Sequence, residues 1–319
     1  MAIEQREKIL QYLFVFAVLV LAFAVFQSAQ KGTQVVVQYP QPVPQQQQQP
    51  TVTQPKLVNV ATLLVFAIDL EANPVAGTVE LWRVTNLSEV TKRAFYSTEG
   101  YSLWMTKTID ELGVAQFDIS RAQYEVINKM IQEGRIKLFA VVIPSGNYYR
   151  EGVEVPRISF VEGQEVNTLT VQVKPIAQYI DLVNPVLDIR GLSSGAERTR
   201  DFRILTISEN EKGVLRLYKL EVEPAELSRL TNFIKELTIT YGDKVVELIK
   251  DGSVKLEGTE EIVFPVRELK ANDGISIRVK LVLSNAPDAA ADGAEVAKVK
   301  IYDVRDQKVG EVSITLDTA

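Results

Sequence analysis

The feature that most constrains the fold is an uncharged, apolar run near the N-terminus. From Ile9 to Phe26 no residue is charged, and Gln11 is the only strongly polar one. A helix of this length spans about 27 Å, close to the roughly 30 Å hydrocarbon core of a bilayer. We therefore predict a transmembrane anchor within residues 1–31. The large apolar residues expected to face the lipid are Ile9, Phe14, Phe16, Leu19, Leu21, Phe23 and Phe26.

Two other interpretations of this run stay open. Ser28 and Ala29 offer a small-residue site where a secretory signal peptide could be cleaved. The run could also be a buried helix of a soluble domain, although the residues that follow it could not cover such a helix. Arg6 and Lys8 precede the run and Lys31 alone flanks it on the other side. The positive-inside rule therefore predicts an inside N-terminus, with the rest of the chain outside.

The next segment, residues 32–55, separates this run from the remainder of the chain. Its stretch QYPQPVPQQQQQPTVTQP, from Gln38 to Pro55, is uncharged and interrupted by prolines. Such a composition favours extended polyproline II and has too few apolar groups to build a core. We predict a stalk with a reach on the order of 50 Å that lifts folded domains off a membrane. A tether of no particular length is the alternative.

Missing residue types limit the chemistry of the chain. Among its 319 residues there is no Cys and no His, which excludes disulfides, thiolate sites and Ser-His-Asp triads. The net charge of −6 and the lack of any basic run argue against a nucleic-acid partner. We expect no enzymatic activity, no cofactor and no metal site. Asn285, Asp288 and Asp292 are oxygen donors, but they lack the spacing of a calcium loop and indicate a solvated turn.

Residues 56–183 predict a first β-sandwich domain. Leu57–Leu70 and Thr78–Val84 are β-type runs separated by the turn residues Asn73-Pro74 and Gly77. One helix interrupts the strands, because Ser120 and Gln123 form a capping-box pattern. An apolar stripe follows, and Gly134 ends the helix. The stripe consists of Tyr124, Ile127, Met130 and Ile131.

The turns and strands of this domain carry a resemblance. The stretches VFAIDLEANPVAGTVELW, DELGVAQFDI, LFAVVIPSGNYY and VEGQEVNTLTVQV resemble the carboxypeptidase-regulatory-like or transthyretin-like β-sandwich family. The resemblance covers this domain and implies a fold rather than an activity. The chain departs from the family pattern at Asn73, where the family usually has glycine, and in an insertion of residues 85–109.

The insertion is rich in aromatic residues. Phe95, Tyr96, Tyr101 and Trp104 form a candidate contact surface for a partner, or alternatively pack on the sandwich. Asn86-Leu87-Ser88 is the only N-x-S/T sequon, so Asn86 is a possible glycosylation site if the domain is extracellular.

After a predicted connector at residues 184–201, residues 202–319 predict a second β-sandwich domain. Their β-type runs are separated by Gly, Asn, Asp and Pro turns. They resemble β-sandwich modules of bacterial and archaeal surface proteins. Charges alternate along EKGVLRLYK, and we expect an exposed edge strand there, protected by Lys212, Arg216 and Lys219.

The predicted fold is all-β, with two tandem Ig-like or transthyretin-like sandwiches behind a transmembrane helix and a Pro/Gln-rich stalk. This order indicates a single-pass structural surface protein of a virion (spike, vertex or capsid-associated) or of a cell-surface assembly. Its expected partners are the lipid membrane and other copies or neighbouring structural proteins. One alternative is an adhesive or carbohydrate-binding receptor, which would present Trp82 and Trp104. Another is a pilin-like filament subunit with the apolar helix in the filament core.

Overall fold

Strands form in this chain at β-type runs bounded by turn residues, and burial alternates along them. The computed structural model describes residues 56–318, so the predicted anchor and stalk lie outside the described residues. β1 (Val60–Ile68) illustrates the pattern, because every second side chain is buried and the others are partly exposed. The buried set is Ala61, Leu63, Val65 and Ala67.

The first group of strands contains two helices and two sheets. The further strands are β2 (Gly77–Val84), β3 (Tyr101–Thr108), β4 (Val114–Ser120), β5 (Lys137–Pro144), β6 (Glu151–Glu154) and β7 (Val166–Gln172). The helices are α1 (Leu87–Arg93) and α2 (Arg121–Gln132). A three-stranded sheet has the order β4-β1-β7, and a four-stranded sheet has the order β3-β2-β5-β6. The two sheets enclose one core that includes Leu63, Leu81, Phe117 and Leu138.

The second group of strands forms a larger sandwich. Its strands are β8 (Ile180–Leu182), β9 (Val186–Asp188), β10 (Glu197–Ile207), β11 (Leu215–Pro224), β12 (Ile234–Tyr241), β13 (Lys244–Lys250), β14 (Ser253–Val254), β15 (Glu260–Leu269), β16 (Gly274–Leu283), β17 (Glu295–Asp303) and β18 (Lys308–Asp317). Six of them form the sheet β14-β13-β12-β16-β10-β8, and five form the sheet β15-β11-β17-β18-β9. Both sheets contribute to a single core that includes Ile204, Leu217, Val279 and Val299.

The second sandwich begins earlier in the chain than residue 202. β8 pairs with β10, and β9 pairs in parallel with β18. β8 precedes the segment 184–201 that we predicted to be a connector, whereas β9 and the first residues of β10 lie within it.

Helix α2 agrees with its sequence pattern. The Ser120 side chain accepts a hydrogen bond from the Gln123 amide, and the Gln123 side chain accepts one from the Ser120 amide, so the predicted capping box is confirmed. Tyr124 and Ile127 are buried against the first core. Gly134 follows the helix with a left-handed φ of 69°.

The described residues are mostly β, as the sequence predicted, and they form four sheets. Between Lys56 and Thr318 no helix combines the length and the apolar character that a membrane crossing requires. The predicted crossing at Ile9–Phe26 lies outside this part of the chain and stays a prediction.

Candidate functional site: the junction between the two sandwiches

The insertion of residues 85–109 builds one side of the junction. It forms α1 and β3, and Asn86 is the N-cap residue of α1, accepting a hydrogen bond from the Ser88 amide. After α1 the backbone turns sharply, because Ala94 and Phe95 both have positive φ, at 45° and 67°. Two consecutive non-glycine residues in this region are strained, so the surrounding packing must hold them.

Phe95 packs against the outer face of the first sandwich. Its side chain is 5% exposed and packs with Trp82, Val84 and Val141 on the outer face of the four-stranded sheet. The close fit involves a glycine, since a Cβ placed on Gly152 would lie 2.3 Å from the Phe95 ring. The insertion therefore covers a sheet face that would otherwise expose Trp82 to solvent.

Tyr96 turns the other way, into an apolar cluster shared by both sandwiches. The buried members of this cluster are Tyr149 and Ile176 from the first sandwich side and Val214, Tyr218 and Val304 from the second. The Tyr96 hydroxyl also accepts a hydrogen bond of 2.9 Å from the Arg150 amide. Neighbouring residues of one insertion thus pack into two different apolar clusters.

The covalent connection between the sandwiches is short and paired. The Ala177 amide donates to the Val214 carbonyl at 2.8 Å, and the Val214 amide donates to the Pro175 carbonyl at 2.9 Å. This contact requires Gly213, because a Cβ there would lie 2.6 Å from the Ala177 nitrogen. No free linker separates Val173, which belongs to the first core, from this bridge.

An ionic network centred on the buried Arg216 crosses the same junction. The Arg216 side chain is 8% exposed and donates to Glu268, with its Nε 3.0 Å from Oε2, and to Glu151. Glu268 also accepts from Lys174, 2.9 Å away. Glu151 and Lys174 belong to the first sandwich, whereas Arg216 and Glu268 belong to the second. Each sandwich therefore supplies one cation and one carboxylate.

The two carboxylates that share Arg216 have opposite pKa shifts. Burial raises the pKa of Glu151, and the nearby Arg216 charge only partly opposes this effect. Burial acts in the same direction on Glu268, but hydrogen bonds from Lys174 and Arg216 outweigh it and lower its pKa. Glu151 is the more deeply buried of the two, and Glu268 has two cationic donors whereas Glu151 has one.

Aromatic rings enclose the network. The Arg216 guanidinium lies 5.3 Å from the ring centroid of Tyr149, a side chain with 0% exposure whose hydroxyl accepts from the Arg216 amide. Burial raises the pKa of Tyr149, which therefore remains neutral near neutral pH. At the rim, Asp306 accepts hydrogen bonds from both Arg93 of α1 and the Tyr218 hydroxyl. Burial and the Asp306 hydrogen bond raise the pKa of Tyr218 to about 12.

This arrangement can fix geometry but presents no group poised to react with a ligand. Its charges are paired with each other, and its apolar side chains are buried between the sandwiches. Within residues 56–318 no three carboxylates come together as a metal site. Asn285, Asp288 and Asp292 hydrogen-bond to backbone groups of their own turns or neighbouring chain.

The structure separates the four predicted contact residues. Phe95 packs on the outer face of the four-stranded sheet and Tyr96 packs in the junction, which is the packing alternative. Tyr101 and Trp104 lie on β3 and are partly exposed. Trp82 is 8% exposed, so its ring is not presented to a ligand. Asn86 caps α1 and is partly exposed, and its glycosylation stays a prediction.

The residues of the ionic network were missed or misjudged from sequence. The expected exposed edge strand at EKGVLRLYK is wrong, because β11 lies between β15 and β17 within its sheet. Arg216 is consequently buried rather than protective. A signal was present, since Arg216 and Lys219 stand among apolar residues that face both sides of the strand.

Comparisons with known proteins add little to this geometry. No family model matches the chain, and no curated protein matches its sequence. The resemblance to carboxypeptidase-regulatory-like domains therefore has no family-level support.

Solved pilin structures are similar to the chain only at a distance. They include the major pilin SpaD from Corynebacterium diphtheriae (11% identity, TM-score 0.25, covering 81% of this chain and 64% of that chain). Another is the major pilin BcpA of Bacillus cereus (12% identity, TM-score 0.24, covering 81% of this chain and 69% of that chain). A third is a backbone pilin of Streptococcus pyogenes (11% identity, TM-score 0.28, covering 82% of this chain and 65% of that chain). The chain thus spans 64% of the SpaD structure. TM-scores this low carry no argument about fold or function.

Proposed function

We propose that the chain is a membrane-anchored structural surface protein that holds two β-sandwiches outside the membrane as one rigid unit. The observation that carries this proposal is the junction, where Arg216 is buried between carboxylates of both sandwiches and the 85–109 insertion packs into both. A displayed or assembled unit needs a fixed orientation of the second sandwich relative to the first. A connection without a free linker fixes that orientation.

The position of the N-terminal residues of the first sandwich supports the same proposal. The chain enters at Lys56, whose carbonyl accepts a hydrogen bond from the Glu162 amide. β1 and β7 run parallel from this end toward the junction, and β1 alone spans about 30 Å. The second sandwich therefore lies beyond the end opposite Lys56. In the proposal the apolar run at Ile9–Phe26 anchors the chain, residues 32–55 act as the stalk, and the second sandwich is distal.

The proposed partners are a lipid membrane on the N-terminal side and other structural proteins, including copies of this chain, at a virion or cell surface. The network between the sandwiches supports a mechanical rather than a catalytic role, because its charges are satisfied internally. We propose no cofactor and no nucleic-acid partner.

Cysteine accessibility tests the topology, because the natural chain has no cysteine. Leu112→Cys places a thiol at a side chain that is 77% exposed in the first sandwich. Gln5→Cys places one on the predicted inner side. A membrane-impermeant maleimide added to intact cells or particles should label the first variant and leave the second unlabelled until the membrane is opened. Labelling of only Gln5→Cys in intact samples would refute the proposed orientation.

A second candidate is a pilin-like filament subunit, in which the same apolar run packs in a filament core instead of a bilayer. The run suits this candidate as well as the first, because an uncharged helix needs either lipid or other helices around it. Carbonate extraction and electron microscopy of the assembled protein separate the two. A membrane-retained chain without filaments favours the anchor, whereas filaments free of lipid favour the second candidate.

A further inference from the structure

We propose that a pocket in the first sandwich binds a small aliphatic carboxylate, with Arg83 as the cation that recognises it. The pocket has a volume of about 270 Å³ and lies between the end of β2, the start of β3 and helix α2. Arg83 is the only charged residue among the described residues that line it. The other lining side chains carry hydroxyl groups or are apolar, apart from one glycine.

Arg83 stands in a row of core residues. It lies on the same face of β2 as Val79 and Leu81, which are both fully buried, because side chains two residues apart on a strand share a face. Across the sheet it pairs with Leu138 of β5, which belongs to the first core. Arg83 itself is partly buried. The sheet therefore places a guanidinium at the margin of an apolar core, where water solvates the charge incompletely.

The protein does not neutralise this cation. Nη2 of Arg83 donates to Ser102 Oγ at 2.6 Å, whereas Nε is buried and has no acceptor within residues 56–318. No carboxylate of the same residues forms an ion pair with Arg83. The buried Arg216, by contrast, has two carboxylate partners. A partly desolvated charge without a partner is unfavourable, so a negatively charged ligand is the expected complement.

The polar side of the pocket is fixed by the turn before β3. The Gly100 carbonyl accepts hydrogen bonds from the Thr85 amide at 2.8 Å and from the Thr85 hydroxyl at 3.0 Å. Gly100 has a positive φ of 74°, and a Cβ there would lie 2.6 Å from the Asn86 Cβ, so this turn requires glycine. Ser102 accepts from Arg83 and keeps its own hydroxyl hydrogen available for a ligand oxygen. The turn thus holds a cation and a second donor beside each other.

The lining selects the chemical class of the ligand. A guanidinium and a hydroxyl donor suit a carboxylate, whose two oxygens can accept from both groups. A single cation balances one negative charge, whereas a phosphate group carries up to two near neutral pH. Met130 of α2 and the buried Ile136 supply apolar contacts. The volume lies just below the range of pockets for drug-sized ligands, so a short aliphatic acid fits.

Methyl NMR of the full chain in detergent tests the proposal, with isobutyrate as the probe. The chain has three methionines. Met130 lines the pocket, whereas Met105 packs beside the first core and does not line the pocket. With isotope-labelled methionine methyl groups and constant ionic strength, isobutyrate should shift the Met130 signal saturably, with a dissociation constant on the order of 1 mM. The Met105 signal should shift less.

Removing the charge from the ligand or from the protein supplies the controls. Isobutyramide has nearly the same shape without the charge, and it should bind at least about tenfold more weakly. Arg83→Gln should weaken isobutyrate binding by about the same factor, because a charge-assisted hydrogen bond is lost. Arg121→Gln removes the same charge from the same sandwich outside the pocket, so it should leave binding unchanged. An unchanged Met105 signal checks that each variant keeps the first core.

A Met130 signal that does not saturate with isobutyrate would overturn the proposal. Equal affinities for isobutyrate and isobutyramide would overturn it as well, and so would equal affinities of the natural chain and Arg83→Gln for isobutyrate. Inorganic phosphate is the last comparison, since tighter binding of phosphate than of isobutyrate would contradict the assignment to a carboxylate. Failure of these tests leaves the proposed surface function intact, because that proposal rests on the junction.

Discussion

Arg216 is the residue that forms ion pairs with both sandwiches. Its guanidinium is buried with one carboxylate from each sandwich, and it stacks near the ring of Tyr149. Removing one member of such a network leaves an uncompensated charge in the interior, which costs more than the intact network contributes. The network is therefore better understood as a device that specifies one arrangement of the sandwiches than as a source of stability.

The two carboxylates should respond to pH with opposite sign. The pKa of Glu268 is lowered from its usual 4.5, so its contribution to stability is present above that value and is lost as pH falls through the folded pKa. The stability advantage of the natural chain over Glu268→Gln should shrink at acid pH. The pKa of Glu151 is raised from 4.5, so the natural chain should lose stability relative to Glu151→Gln as pH rises above that value.

Urea denaturation of residues 56–319 at several pH values measures the stability of the natural sequence relative to Glu268→Gln and to Glu151→Gln. Both cores lie within this fragment. The other carboxylates are identical in all three proteins, so they cancel in the differences. If the stability differences of both variants from the natural sequence changed with pH in the same direction, the opposite pKa shifts assigned to Glu268 and Glu151 would be contradicted.

At the level of elements, the insertion of residues 85–109 is the part that makes the junction. α1 contacts the second sandwich through Arg93 and Asp306, and the strained turn after α1 directs Phe95 and Tyr96 into two different apolar clusters. A family-like sandwich without the insertion would expose Trp82 and lose the Tyr96 contact. The insertion thus converts two adjacent sandwiches into one unit.

Gly152→Ala should displace Phe95 from its site. The new methyl group would lie 2.3 Å from the ring, and such overpacking costs about 1–3 kcal/mol of unfolding free energy. In a Phe95→Ala background the same substitution should cost much less, because the clashing ring is gone. Gly258→Ala is the control, since Gly258 has open space around it and no positive φ. Equal costs of Gly152→Ala in both backgrounds would show that Phe95 does not pack there.

The elements themselves were largely predictable from sequence, but their mutual packing was not. The β-type run of β1 and the Ser120–Gln123 capping box are local patterns of a few residues, so each was sufficient to predict its element. The burial of Phe95 depends on Gly152, more than fifty residues away, and that of Arg216 depends on Glu151 and Glu268. No periodicity within one segment encodes such distant pairs. Only the conflict between the charge of Arg216 and its apolar neighbours hinted at them.

At the scale of the whole described region, residues 56–318 form one compact unit. Three kinds of interaction cross the junction: the backbone bridge at Ile176 and Val214, the ionic network around Arg216, and the apolar cluster around Tyr149. Interfaces between domains of one chain usually permit relative motion unless they are large and apolar. We expect the combination of a short connection and buried charges to suppress that motion here.

A distance measurement between the two sandwiches tests this rigidity most directly. Val126 on α2 and Val245 on β13 are 64% and 54% exposed, and each can be replaced by the only cysteine of its sandwich. Double electron–electron resonance between nitroxide labels at Val126→Cys and Val245→Cys should give a single narrow distance distribution, which Arg216→Ala should broaden. A broad or two-peaked distribution in the chain that retains Arg216 would contradict the claim that the junction holds the sandwiches as one rigid unit.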